Sequence, residues 1–294
     1  MGDLENAQPI GDKTADEGPS SVPQPATDVY FSANETIIRD LLSDELRYHS
    51  PPAYCQNEPP AQAIWMRRAL LNWLREVCDH RNTDAEVLAH AAQLIDRYLH
   101  VGNTDKRDYQ LVGATCFLLA SKLKETIPVL VERLVQYTDF SVTKEDILAK
   151  EIVIAVTLQW DLTCITPIDF IHPITSFFTC ESGLRQLIRQ SAKQIFMKIL
   201  HVEGVNLFRP SYTAAACILY AVRLTVAPDA DGFASGVRSQ MERLLGLESA
   251  ELQDAFFFIT TLFKRGTVEL SDEVLRVDQG PPIGSSESSK QSPP

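Results

Sequence analysis

Charged residues that could act on another molecule cluster at the end of a long apolar stretch. The segment ASKLKETIP, residues 120–128, places Lys122, Lys124 and Glu125 at the end of the apolar run LVGATCFLLA. A lysine in the last turn of a helix is favoured by the helix dipole, so a purely structural role stays open. The alternative is that these charges meet a partner, because a charge beside apolar surface is paired or lies at an interface.

Three more charges stand where the helical pattern expects apolar residues. Glu151 has Ile147 and Ile154 on its own helical face, and Arg67 and Asp96 stand in the apolar faces of two sequential helices. Pairing of Arg67 with Asp96 is the simplest interpretation. For Glu151, a salt bridge at the edge of the core and a contact with a partner both remain open.

The motifs of known catalytic chemistry are missing. There is no GxGxxG, Walker loop, GxSxG or HExxH, and the six histidines have no metal-ligand spacing. The adjacent acids Asp44/Glu45 and Asp272/Glu273 should point apart and form solvated faces. We therefore expect no enzyme activity, no cofactor and no metal site.

Composition excludes further classes of function. The formal net charge is −12 and no Lys/Arg-rich tract is present, so we expect no nucleic-acid partner. No apolar stretch approaches the ~18 residues of a membrane span, so we expect no membrane partner. The six cysteines contain no CxxC pair and are typical of reduced core residues in an intracellular protein.

Helical periodicity begins near residue 32. The segment 32–49 opens with Ser32 and Glu35, the spacing of a capping box. Its apolar positions are expected to line one buried face: Ile37, Ile38, Leu41, Leu42 and Leu46. This pattern predicts one helix before the Pro-rich segment that follows.

Two sets of five helices follow, and the third helix of each set is apolar on all sides, as a central helix would be. Thr83 and Glu86 have capping-box spacing, Pro128 is expected in a first helical turn, and Thr166-Pro167 is expected to open the second set. The predicted helices span 63–80, 83–99, 106–125, 128–138 and 143–160, then 166–178, 183–203, 210–226, 236–246 and 250–265.

The first helix of the first set has two apolar stripes. One contains Leu71, Leu74 and Cys78, and the other contains Met66, Ala69, Leu70 and Trp73. Burial of both stripes inside a bundle is one interpretation. The other is that the second stripe forms an exposed docking groove.

Four motifs, in order, resemble a cyclin, most closely a D-type cyclin. They are MRRALLNWLREV (66–77), LIDRYL (94–99), YQLVGATCFLLASKLKETIP (109–128) and KEIVIAVTLQWDLTCITPIDF (150–170). The resemblance spans about residues 34–265 and is most specific in the first half. The chain lacks the Leu-x-Cys-x-Glu motif that D-type cyclins often carry for pocket proteins.

The resemblance implies roles for particular residues. Lys122 and Glu151 would reach a partner kinase, and Leu111, Lys124 and Glu125 are placed with them in the kinase-binding set. Arg67 and Asp96 match the internal pair of the family. The groove that receives Arg-x-Leu motifs of substrates and inhibitors would comprise Met66, Leu70, Trp73, Glu76, Tyr109 and Gln110.

The expected architecture is all-α, with two tandem five-helix cyclin folds. The predicted parts are a disordered tail (1–31), an N-terminal helix and linker (32–62), the N-terminal cyclin box (63–164), the C-terminal cyclin fold (165–268) and a second disordered tail (269–294).

The resemblance implies a regulatory subunit that binds and activates a cyclin-dependent kinase, in nucleus and cytoplasm. It also implies phosphorylation of retinoblastoma-like substrates and entry into DNA synthesis. The alternative is a cyclin-fold adaptor or transcription factor that docks partners without activating a kinase.

Overall fold

The computed structural model describes residues 33–49, 61–101, 104–226 and 231–268. The segments predicted as disordered tails, 1–31 and 269–294, and the acid pair Asp272/Glu273 lie outside the described residues. The predicted part boundaries remain predictions.

The described chain contains eleven α-helices, two short 3-10 turns (106–108 and 205–207) and no strand. The prediction of an all-α protein, with one N-terminal helix and two sets of five, is confirmed. The helices are α1 (Glu35–Tyr48), α2 (Ala61–Arg81), α3 (Ala85–Val101), α4 (Tyr109–Lys124), α5 (Val131–Tyr137), α6 (Lys144–Thr157), α7 (Pro167–Ser176), α8 (Ser182–Ile199), α9 (Pro210–Thr225), α10 (Asp231–Leu245) and α11 (Ser249–Lys264).

Two helix starts differ from the sequence prediction. The cap of α1 is Asn34, whose side chain accepts a hydrogen bond from the Thr36 amide, whereas Ser32 lies outside the described residues. Asp84 Oδ1 accepts from the Glu86 amide at the start of α3, and the Thr83 hydroxyl is buried without a hydrogen-bond partner. Asn and Asp are strong caps, and each stands nearer the first helical residue.

Pro128 was expected in the first turn of a helix, and this prediction is wrong. Helix α5 begins at Val131, and Leu130 is its extended cap residue. The chain before it is fixed instead by Ser121, whose hydroxyl accepts a hydrogen bond from the Val129 amide at 2.7 Å. This tertiary contact delays the start of the helix.

The predicted start of the second set is confirmed. Thr166 and Asp169 form a reciprocal capping box, and Pro167 is the first residue of α7. The Thr166 amide donates to Asp169 Oδ2 at 2.7 Å. Because proline has no amide proton to satisfy, it is well suited to this first position.

The third helix of each set is central. Helix α4 contacts α2, α3, α5 and α6, and helix α9 contacts α7, α8, α10 and α11. Residues 112–121 of α4 and 210–222 of α9 are buried without interruption. Their all-round apolar sequence follows from this position, because each side of the helix meets another helix.

Helix α1 docks on the second set through a buried acid. Glu45 is fully buried, and its carboxylate accepts hydrogen bonds from the Ser211 amide at 2.9 Å and the Ser211 hydroxyl at 2.8 Å. The interpretation of Asp44/Glu45 as a solvated face is therefore wrong for Glu45. Leu46, expected in the buried face, is 67% exposed. The Glu45 carboxylate lies at the N-terminus of α9, where the helix dipole favours a negative charge. This interaction explains why α1 buries Glu45 and leaves the adjacent Leu46 exposed.

Polar residues of α3 hold the segment that joins the two sets. His90 Nε2 donates to the Leu162 carbonyl at 2.8 Å, and the Arg97 guanidinium donates to the Thr163 and Asp161 carbonyls, each at 2.8 Å. Burial lowers the pKa of His90, so the neutral ring makes this bond. The carbonyls of this irregular segment have no helix or sheet partners, so these side chains supply the hydrogen-bond donors that they require.

Candidate functional site

An ion pair joins the end of α4 to the middle of α6. Lys122 Nζ lies 2.5 Å from Glu151 Oε1, with side chains 44% and 17% exposed, respectively. Lys122 stands in the last turn of α4, and Glu151 lies near the centre of α6. The structure therefore brings together the two residues that the sequence placed at the centre of the kinase-binding set.

Apolar side chains stand in solvent beside this ion pair. Leu148, Ile152 and Val156 repeat every four residues along α6 and are all exposed, Ile152 to 61%. Leu123, which follows Lys122, is also exposed. Residues four apart share one helical face, so α6 presents a continuous apolar stripe next to a charge pair. This combination is typical of a surface that another protein covers.

The neighbouring charges of the predicted set contact other residues of this chain. Lys124 Nζ lies 3.8 Å from Asp169 Oδ1 at the start of the second set of helices. Glu125 accepts from the Ser121 hydroxyl and lies 3.5 Å from the Arg81 guanidinium. These contacts fix the turn that ends α4.

Leu111 lies in the first turn of α4, at the far end of the helix from Lys122. Its side chain is half-buried and packs against the apolar core, and its carbonyl accepts a hydrogen bond from the Thr115 hydroxyl at 2.7 Å. The structure therefore separates Leu111 from the Lys122–Glu151 pair, although the prediction placed all three in one set.

The residues of the predicted docking groove lie on α2 and in the first turn of α4, two helices that pack against each other. Leu70 is buried against Gly113, where an added methyl group would collide with the Leu70 side chain. Trp73 Nε1 donates to the Tyr137 carbonyl at 3.3 Å, and Gln110 accepts from the Ser141 hydroxyl at 3.0 Å. The other members are the half-buried Met66 and Tyr109 and the exposed Glu76.

Arg67 and Asp96 form a bidentate pair. Arg67 Nε donates to Asp96 Oδ1 at 2.6 Å and Nη2 donates to Oδ2 at 2.7 Å. Asn206 Nδ2 donates to the same carboxylate at 2.6 Å, and Arg67 Nη1 donates to the Leu200 carbonyl at 3.4 Å. The pair thus joins α2 and α3 to the second set, which explains the charges within apolar stripes.

Comparison with known proteins decides the family. The cyclin N-terminal domain matches residues 36–163. The chain is 34% identical over 192 residues to G1/S-specific cyclin-D1 of Danio rerio, covering 65% of each chain. It is 34% identical over 204 residues to G1/S-specific cyclin-D2 of Gallus gallus, covering 69% of this chain and 70% of that relative. The chain belongs to the cyclin family.

The fold is also that of a solved cyclin. A viral cyclin from herpesvirus saimiri superimposes with a TM-score of 0.63 and 19% identity, covering 78% of this chain and 99% of the viral one. A chain of the CAK complex of Chaetomium thermophilum, bound to ATP-gamma-S, gives a TM-score of 0.52 at 16% identity. These structures support the cyclin fold, and the D-type relatives confirm the resemblance found in the sequence.

Four buried thiols of this cyclin are not activated. Burial raises the pKa of Cys78 to about 12 and that of Cys164 to about 11, and it raises the pKa of Cys116 and Cys217 as well. A protonated thiol is a poor nucleophile and a poor metal ligand. Within the described ranges, no group of three or more potential ligands could hold a metal, and no helix is long and apolar enough to span a membrane.

Sequence reasoning missed the apolar stripe of α6 and the buried Glu45. The spacing of Leu148, Ile152 and Val156 was visible, but α6 is apolar on most of its circumference, so periodicity could not say which side faces solvent. Glu45 could have been found only from the tertiary contact with Ser211, which lies 166 residues away.

Proposed function

We propose that this cyclin is a regulatory subunit that binds and activates a cyclin-dependent kinase through α4 and α6. The substrates would be retinoblastoma-like proteins, and the outcome would be entry into DNA synthesis. The activity of the D-type relatives supports this proposal, although the matches span only about two thirds of their length. Residence in both nucleus and cytoplasm belongs to the same proposal.

The observation that carries the proposal is the Lys122–Glu151 pair beside exposed Leu148, Ile152 and Val156. Apolar side chains exposed along one face are best explained by a partner that covers them, because each buried side chain contributes about 1.5–3 kcal/mol. The two charges of the ion pair require complementary polar groups at matching positions on the partner, which fixes the orientation in which the partner binds.

Activation would follow from a shift of population in the kinase. A kinase is competent only when its own Lys–Glu pair is formed, which requires one position of its mobile helix. A rigid cyclin surface that contacts this helix better in the competent position favours that state by the difference in contact free energy. The buried helix α4 beneath Lys122 supplies the rigidity.

The groove on α2 and α4 would receive Arg-x-Leu segments of substrates and inhibitors. Exposed Glu76 would face the arginine, and half-buried Met66 and Trp73 would contact the leucine. A basic and apolar ligand is complementary to this combination of side chains.

The decisive experiment uses charge reversal of both members of the ion pair. The double variant Lys122→Glu/Glu151→Lys keeps an internal pair, so the fold should persist while a partner meets the opposite charges. We expect kinase binding to weaken by about 2 kcal/mol or more, roughly thirtyfold, in a pull-down and activation assay with purified cell-cycle kinases.

The matched control is the reversed pair Arg238→Glu/Glu242→Arg in α10, where the wild-type side chains lie 3.9 Å apart. It should bind and activate like the wild type. Equal binding by the Lys122/Glu151 variant, at an unchanged melting temperature, would refute the interface. Binding by the wild type without activation would favour the adaptor alternative.

A further inference from the structure

An open cleft runs along the seam between α2 and α8, where the first set of helices meets the second. Its volume is about 420 Å³. Helix α2 and the start of α3 form one wall, and α8 forms the other, through Lys193, Gln194, Met197 and Lys198. Neither Lys122 nor Glu151 lines it, so it is separate from the proposed kinase-binding surface.

The seam carries three positive charges, one of them beside the cleft and two lining it. Arg68 and Arg75 lie on the same face of α2, seven residues apart, so their Cα atoms are about 10 Å apart, and Lys198 lines the opposite wall of the cleft from Arg75. In the part of the chain that the structure describes, none of these three cations has an ion-pair partner. This is unusual in a protein whose net charge is −12, because acids are abundant elsewhere.

The electrostatic field of these cations reaches the end of α8. Burial, and then the charges of Arg75 and Arg68, lower the pKa of His201 to about 4. His201 is therefore neutral at pH 7, and its ring lies close enough to both arginines to register their charges. Arg68 and Arg75 thus belong to one electropositive seam.

Buried polar atoms without partners lie along the same seam. They are the Thr83 hydroxyl, which lines the cleft, the Asn72 side-chain oxygen on α2, and His201 Nδ1, which lines a smaller pocket beside Arg67 after the end of α8. Asn72 lies on the face of α2 between Arg68 and Arg75. Buried polar atoms are normally hydrogen-bonded, so a ligand with both donors and acceptors, such as a peptide backbone, suits this surface.

We propose that the seam between α2 and α8 docks an acidic, extended peptide segment of a partner protein. Cations spread over two turns of α2, with a third on α8, suit a chain that carries several acidic groups better than a single phosphate group. An extended chain rises about 3.3 Å per residue and residues two apart share a face, so acidic side chains at every second position form a row, about 7 Å apart, that can meet both Arg68 and Arg75. One acid, Asp79, also lines the cleft, one helical turn from Arg75.

The test uses the full chain and a fluorescein-labelled decapeptide of alternating Glu and Ser. Fluorescence anisotropy in low salt should show saturable binding that is lost at high ionic strength, because exposed charges are then screened. The decapeptide of alternating Lys and Ser should not bind.

The variant Arg68→Gln/Arg75→Gln/Lys198→Gln should bind the acidic peptide about tenfold more weakly, as expected for the loss of three exposed ion pairs. The control Arg39→Gln/Arg243→Gln/Lys264→Gln removes the same charge at exposed sites outside the seam and should bind like the wild type. Both variants should keep the wild-type melting temperature, since none of the six cations has an ion-pair partner among the described residues.

Three results would overturn the proposal. Equal weakening in both triple variants would mean that binding is non-specific attraction. Displacement of the peptide by an equal concentration of inorganic phosphate would indicate a small-anion site. Much tighter peptide binding after neutralisation of the six acids in residues 1–33 would identify that segment of the chain itself as the occupant.

Discussion

Replacement of Glu45 by alanine should be among the most destabilising single changes in this cyclin. The variant leaves the Ser211 amide and hydroxyl without their acceptors in a site that water does not reach. A hydrogen bond to a charged group contributes about 1.5–3 kcal/mol, and loss of a helix cap costs about 1 kcal/mol. Because the two effects overlap at Ser211, we expect a total loss of about 3–5 kcal/mol in the free energy of unfolding.

The adjacent Asp44 provides the matched control. It is exposed and makes no hydrogen bond within the described chain, so Asp44→Ala should change stability by less than about 0.5 kcal/mol. Urea denaturation of both variants at pH 7.5, followed by far-UV circular dichroism, measures the difference directly. The double variant Glu45→Ala/Ser211→Ala should lose less than the sum of the two single losses.

The choice of pH matters for this measurement. Burial raises the pKa of Glu45 above its ordinary value of 4.5, with the Ser211 hydrogen bonds acting in the opposite direction. The folded state therefore holds the proton more tightly than the unfolded state, and the contribution of Glu45 to stability falls as pH rises through that window. The two variants are therefore compared at one fixed pH. If Glu45→Ala then lies within 1 kcal/mol of Asp44→Ala, the buried cap contributes little and the reasoning is wrong.

Other predictions concern the first set of helices and its seam with the second. Gly113→Ala should cost about 1–3 kcal/mol in thermal or urea unfolding, because the new methyl group displaces Leu70; an unchanged stability would show that the helices can separate freely. Arg67→Ala and Asp96→Ala should each cost about 3–5 kcal/mol, and a double-mutant cycle should show strong coupling; additive losses would contradict the pair. Lowering the pH from 7 to 5 should destabilise the protein by about 1–2 kcal/mol through His201. The pKa of His201 is about 4 in the folded protein, below the ordinary 6.5, so the unfolded chain takes up a proton in this range while the folded protein does not. His201→Gln should reduce that loss in pH-dependent urea titrations, and an identical pH profile would exclude His201 as its source.

The helices were predictable because their signals are local. Apolar periodicity and the Thr166–Asp169 cap lie within a few residues of the structure that they determine. Pro128 shows the limit of such signals, because the hydrogen bond from the Val129 amide to Ser121 keeps the chain extended and delays the start of α5. The sequence pattern at Pro128 carries no information about this contact.

The site was predictable only in part, for a related reason. A charge within an apolar stripe must have a partner, so periodicity singled out Arg67, Asp96 and Glu151. It could not say that Glu151 pairs with Lys122, because the residues lie 29 positions apart on helices whose packing was unknown. Glu45 stood beside another acid in a helix that ended in polar residues, so local pattern favoured solvent.

The ion pair and the apolar stripe would contribute differently to partner binding. Lys122 and Glu151 already neutralise each other in the free protein. A partner therefore gains little electrostatic free energy from contacting either charge. Leu148, Ile152 and Val156 are exposed to water in the free protein, so the whole hydrophobic free energy of burying them contributes to binding. Affinity should therefore come mainly from α6, whereas Lys122 and Glu151 set the orientation of the partner by excluding poses that leave them buried and unpaired.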